Sequence, residues 1–210
     1  MPIYRKNRQK VPNTISIRRV KTQEKKFAKR TLSGQTYWPV EFSGIHAVEA
    51  SMDFPIREFI KNKYAAGNNK PVVVDWGCGS GCAIQQIARQ IPKAKCIGFS
   101  EKRYLEWNKH SDAEFIQAVE KDFFRYFKDN SIDFLFSHLG IEHLKNPAEY
   151  VQKIIPKLKV GGTIALMPSL EEKIRLSGII KGQRDNPFVQ ENSHIQIQYL
   201  PGTILILRKN

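Results

Sequence analysis

The sequence predicts a doubly wound α/β fold, a mostly parallel seven-stranded sheet that ends in an antiparallel hairpin. Three observations carry that prediction. From Lys70 onward, short apolar runs alternate with amphipathic stretches, the repeat expected of βαβ units. A glycine-rich turn, Gly77 to Gly81, joins the first such run to the first amphipathic stretch. Near the C terminus, Pro201-Gly202 alone separates two strand-like segments, too short a link for a parallel return.

The elements follow in order. Pro71–Asp75 is a continuous apolar run closed by an acid, the pattern of a strand buried on both faces. Ala83, Ile84, Ile87, Ala88 and Ile91 line one face of a helix that Pro92 closes. Ala94–Phe99 is a second strand and Glu101–Asn108 a second helix. Phe115–Val119 and Ile132–Ser137 supply the third and fourth strands. Tyr150, Val151, Ile154, Ile155 and Leu158 form the inner face of a helix over 147–158, and Gly161-Gly162 is expected to end it. Thr163–Met167 is the fifth strand; His194–Tyr199 and Thr203–Leu207 form the terminal hairpin.

Ahead of the sheet, apolar residues recur at helical intervals over 48–63, with Pro55 as a break or restart and Gly67-Asn68-Asn69 as a turn. Residues 31–47 mix Gly, Pro, Ser and aromatics, a covering segment. Three parts result: a basic arm over 1–30, a helical and irregular lid over 31–69, and a ligand-binding domain over 70–210.

With 210 residues, 41% hydrophobic, the chain can bury a real core. No apolar run approaches the roughly 18 residues of a membrane span. Cys78, Cys82 and Cys96 are too few for a disulfide scaffold, which favours a reducing compartment and a cytoplasmic location. Cys78 and Cys82 lack a second ligand pair, so no metal is expected. The formal charge of +14 is concentrated. Residues 1–30 hold eleven basic side chains and one acid, a net +10, and the other 180 residues carry +4. Such an arm attracts polyanions, RNA among them, or serves as a solvated tail.

The sharpest motif is Val73-Val74-Asp75-Trp76-Gly77-Cys78-Gly79-Ser80-Gly81. Glycines at alternating positions permit positive φ and a close backbone approach to a ligand. The bend feeds a helix N-terminus, which favours anionic or polar groups. Its spacing is G-x-G-x-G, whereas the dinucleotide fingerprint is G-x-G-x-x-G and would need a third glycine at Cys82.

Asp75-Trp76-Gly77-Cys78-Gly79-Ser80-Gly81 resembles the first motif of class I S-adenosylmethionine-dependent methyltransferases. The stretch from Ser131 through His138 to Pro147 is similar to the family's fourth strand and the loop after it. Lys157-Leu158-Lys159-Val160-Gly161-Gly162 looks like its turn into the fifth strand. The resemblance covers about residues 70–207, with a core of the small-molecule type, and implies the Rossmann-like methyltransferase fold with S-adenosyl-L-methionine as cofactor. It places Asp75, Gly77, Cys78, Gly79 and Gly81 against the methionine part. It puts Asp122, or else Glu120, at the adenine amine with Phe123 beside it, and Ser137, His138 and Leu139 along the adenine and sulfonium region. The family's ribose-holding acid has no direct counterpart, since Ser100 stands there and Glu101 follows.

A base for a protonated acceptor is sought on the loop after the fourth strand, where His138, Glu142 and His143 stand. Each has a plain structural alternative as a packing group or a helix-start residue. His46 and Trp38 either close over the cofactor or fill the core. No N/D-P-P-Y/F tetrapeptide follows the fourth strand, and no cysteine follows Cys96, which excludes two nucleic-acid chemistries. A small-molecule acceptor is the expected substrate. The alternatives are ribosomal or transfer RNA held by the arm, or a silent binding module.

Overall fold

The computed structural model describes residues 43–65, 69–109, 112–140, 144–167, 195–200 and 203–208. The basic arm, Trp38, the Gly67-Asn68 part of its turn, Glu142, His143 and the Pro201-Gly202 turn lie outside the described residues. Seven strands form one sheet: β1 (Val72–Trp76), β2 (Lys95–Ser100), β3 (Glu114–Gln117), β4 (Ile132–His138), β5 (Leu158–Met167), β6 (Ile195–Tyr199) and β7 (Ile204–Arg208). Their order is β3-β2-β1-β4-β5-β7-β6, parallel except that β7 runs antiparallel to both β5 and β6. The sheet therefore reverses its strand order between β1 and β4. That reversal opens a crevice at the carboxyl edge.

The apolar run of β1 is continuous because both faces are covered. Val73, Phe134 and Phe136 pack beneath α1 (Ile45–Met52), α2 (Ile56–Lys63) and α3 (Cys82–Gln90), with Ile45, Met52, Ile60, Ile84 and Ile87 from those helices. Val74, Trp76 and Leu135 face the other way, against Phe123 of α4 (Phe123–Tyr126) and Tyr150, Val151 and Ile154 of α5 (Pro147–Ile154). Ile84 and Ile87 have no exposed surface, so truncating either to alanine costs about 2–5 kcal/mol. Pro55 restarts the chain as α2, directly after Asp53 closes α1 in the left-handed region at φ 48°.

Two expectations are corrected. Glu101–Asn108 is not an α-helix; only Leu105–Lys109 form a tight 3-10 turn. The backbone there follows Trp107, whose ring is drawn into the protein, and leaves Leu105 80% exposed. Nor do Gly161 and Gly162 end a helix. The helix stops at Ile154 and gives way to a 3-10 turn at Ile155–Lys157. The glycine pair lies inside β5, where the register against β4 jumps between the Ile132–Leu158 and Phe134–Thr163 pairs. Gly161 takes φ +78°, and a Cβ on Gly162 would sit 2.8 Å from the Lys159 carbonyl, so the excursion needs both glycines.

Candidate active site

The glycine bend is built at the carboxyl end of β1. The N–H groups of Gly77 and Cys78 both donate to the Phe99 carbonyl on β2, at 2.9 and 3.1 Å. Gly77, Gly79 and Gly81 all take positive φ, at +83°, +52° and +79°. Each is needed for a different reason. A Cβ on Gly77 would meet the Gly140 Cα at 2.9 Å, and one on Gly81 would meet the Phe115 ring at 2.3 Å. Among the described residues a Cβ on Gly79 would meet nothing within 4 Å, so they leave that side of the bend open. Among the described residues, the Gly79 and Ser80 N–H groups have no hydrogen-bond partner. Free N–H groups beside open space make a cradle for an anionic or polar group.

Asp75 stands just before the bend. Its side chain is 5% exposed and has no hydrogen-bond or ion-pair partner among the described residues. Burial pushes its carboxyl up to about 8. A buried acid without a partner is costly unless something meets it. Burial, and then the charge of Asp75, drive the neighbouring Cys78 thiol well above its ordinary value, which makes it an inert wall.

At the end of β4, Ser137 is fully buried and its hydroxyl donates to the Trp76 carbonyl at 2.7 Å, tying β4 to β1. His138 follows, partly buried, and burial brings its imidazole down to about 4. Leu139 takes φ +61°, and its N–H donates to the Met167 carbonyl. Gly140 then passes over Gly77. The structure thus brings Asp75, the glycine bend and the segment Ser137–Gly140 together around the β1–β4 crevice.

The remaining candidates are placed as follows. Ser100 is buried at the tip of β2, and Glu101 beyond it is exposed. Asp122 pairs with Arg125 at 3.0 Å. Glu120 lines an open groove of about 520 Å³ with Lys145, Asn146, Glu149, Tyr150 and Lys153. Phe123 has no exposed surface and packs edge-on against Phe99. His46 is exposed and its ring nitrogens lie against the Arg57 guanidinium, which also grips both Glu49 oxygens. From the segment read as a lid, Ser43 contacts the Ser80 hydroxyl at 2.9 Å, and the Ile45 N–H donates to Gln86. Among the described residues, no three His, Cys, Asp or Glu side chains cluster as a metal site would require, and no helix is long and apolar enough to cross a membrane.

One residue near the bend escaped the sequence reading. The Trp107 indole N–H donates to the Gly79 carbonyl at 2.9 Å, and its ring stacks on Phe115 at 5.0 Å. The only signal was an aromatic side chain in a segment read as helix.

Residues 74–166 match the family model of a methyltransferase domain. No curated protein matches the chain. Among solved structures, the plantazolicin methyltransferase BpumL in complex with SAH is similar at 14% identity and TM-score 0.60, over 93% of this chain and 92% of that one. The same enzyme with a monoazolic desmethylPZN analog and SAH matches at 15% and 0.59, over 92% and 91%. The antibiotic-resistance methyltransferase Kmr matches at 16% and 0.50, over 72% of this chain and 91% of that one.

Proposed function

We propose that residues 74–166, which match the family model of a methyltransferase domain, form a class I S-adenosylmethionine-dependent methyltransferase domain, and that the chain methylates a small-molecule acceptor by in-line displacement. The observation that carries the reading is Asp75: a buried carboxyl that has no partner among the described residues, beside a bend whose Gly79 and Ser80 N–H groups likewise have none among them. That set suits an amino acid zwitterion, since the carboxylate answers an ammonium and the N–H groups answer a carboxylate. The cofactor carries such a zwitterion on its methionine part. The residues present therefore fit it.

When bound, S-adenosylmethionine supplies a methyl group on a sulfonium, already a good leaving group. The protein's task is alignment and, for a protonated acceptor, removal of a proton. In this reading Asp75 and the Gly79 and Ser80 N–H groups hold the methionine end. Ser100 or Glu101 serves the ribose hydroxyls, and Glu120 or Asp122 the adenine amine. Glu120 suits that role better, because Asp122 already has Arg125 as a partner. The backbone of Gly77, Cys78, Gly81 and Leu139 completes the wall, with Phe123 packed behind it. His138, with an imidazole that stays neutral above pH 4, accepts a hydrogen bond from the acceptor and adds no charge beside a cation. Glu142 and His143 remain the other candidates for proton removal.

The full-length likeness to the plantazolicin enzyme supports a small acceptor as the first substrate class to test. The arm favours a second reading, RNA, because its +10 charge suits a phosphate backbone. The test is calorimetry of the full chain with S-adenosylhomocysteine, followed by transfer of labelled methyl groups to metabolite and RNA extracts. Expected are saturable binding and label in a small molecule. No binding sinks the reading; label in RNA alone replaces the first substrate class with the second.

A further inference from the structure

We infer that Trp107 is a positioning residue that sets the ligand-facing orientation of the glycine bend. This rests on the reading that the bend holds the methionine end of the cofactor. The peptide plane is rigid, so a carbonyl fixed on one side fixes the N–H of the same unit on the opposite side. In the unit joining Gly79 to Ser80, the carbonyl accepts the Trp107 indole N–H at 2.9 Å and, more weakly, the Cys78 thiol at 3.8 Å. The Ser80 N–H therefore points away from Trp107 and, among the described residues, has no partner of its own.

Glycine at position 79 has no Cβ to restrain this unit, and none of the described residues fills the space beside it. Without an external peg, the peptide could rotate and turn its carbonyl toward an incoming carboxylate. Since the neighbouring Cys78 thiol is a weak donor at a longer distance, the indole is the stronger peg. It is itself held, at 7% exposure, between Tyr104 at 6.0 Å and a parallel stack on Phe115 at 5.0 Å. The Phe115 ring in turn fills the space that a side chain on Gly81 or Gly98 would need. A single aromatic pair thus fixes the first residue of the bend's open half and the glycine that starts α3.

The test is titration calorimetry on the full chain, comparing S-adenosylhomocysteine with adenosine. Adenosine lacks the amino acid part, so it reports general integrity of the pocket and is blind to the cradle. Two variants are used: Trp107→Phe, and a shape-conserving replacement of the position 107 indole by benzothiophene, which removes the N–H and keeps the stack. Each is expected to weaken S-adenosylhomocysteine about fivefold, the worth of one neutral hydrogen bond, and to leave adenosine unchanged. At saturating S-adenosylmethionine, kcat stays near the unaltered value and KM rises. Equal losses for both ligands, or no loss for either, overturn the proposal. If the unaltered chain binds adenosine but gains nothing from the homocysteine part, the reading of the bend itself is wrong.

Discussion

Gly77 and Gly140 approach so closely that a Cβ on Gly77 would stand 2.9 Å from the Gly140 Cα. The turn after β1 and the loop after β4 are therefore in backbone contact, and the crevice between them is set by two missing side chains. Gly77→Ala adds a positive-φ strain of about 1–2 kcal/mol and an overpacking cost of about 1–3 kcal/mol. Expected is a loss of roughly 3 kcal/mol in urea unfolding together with loss of cofactor binding.

Gly79→Ala is the informative contrast. Its φ is +52°, yet the added methyl meets none of the described residues, so the strain alone of about 1–2 kcal/mol is expected in stability. The methyl fills the open side of the cradle, and S-adenosylhomocysteine binding falls far more than stability does. Equal binding by Gly79→Ala and the unaltered chain would show that the ligand lies elsewhere.

Asp75 predicts how affinity depends on pH. Its carboxyl is protonated below about 8 in the free protein, and an ammonium is held only by the ionised form. S-adenosylhomocysteine binding should release a proton and tighten about tenfold per unit as pH rises toward 8, then level off. Asp75→Asn removes both the slope and the proton release. Calorimetry in buffers of different ionisation enthalpy measures that release directly.

The same group shapes stability, against an opposite contribution from His138. The folded value of Asp75 lies above its unfolded 3.8, so the folded state holds the extra proton and stability falls as pH rises from about 4 to about 8. For His138 the folded value, about 4, lies below 6.5, so stability rises across that interval. The two slopes cancel up to pH 6.5, and above it Asp75 acts alone, lowering stability by about 2 kcal/mol by pH 8. Denaturant unfolding of Asp75→Asn should lack that decline. If the decline persists in the variant, another group causes it.

The order of strands and helices was legible in the residues because strands covered on both faces must be apolar throughout, as Val72–Val74 and Phe134–Phe136 are. The bend was legible because alternate glycines have few other uses. Elsewhere one local signal served two structures. Glycines after Leu158 suit a helix end or a strand excursion equally, and only pairing with β4 decides. Tyr104, Leu105 and Trp107 mimic one face of a helix, but Trp107 answers to a carbonyl 28 residues earlier in the chain. The role of Ser137 was hidden for the same reason, since its hydroxyl serves the Trp76 carbonyl across the sheet.

The arm gives the last prediction, and it separates the two acceptor classes. Its net +10 exceeds the +4 of the remaining 180 residues, so any polyanion binding should depend on it. Each phosphate contact releases a condensed counterion, and affinity for single-stranded RNA falls with log salt at a slope of about −0.7 per contact. If RNA is the acceptor, the full chain shows a steep slope, and deleting residues 1–30 flattens it and abolishes methyl transfer to RNA. If the acceptor is small and uncharged, the deletion leaves its kcat/KM near the full-chain value, and transfer is indifferent to salt. A steep slope for binding combined with salt-independent transfer to a small molecule would assign the arm to a role outside catalysis. Measuring binding and transfer on the same two chains, across one salt series, distinguishes all three.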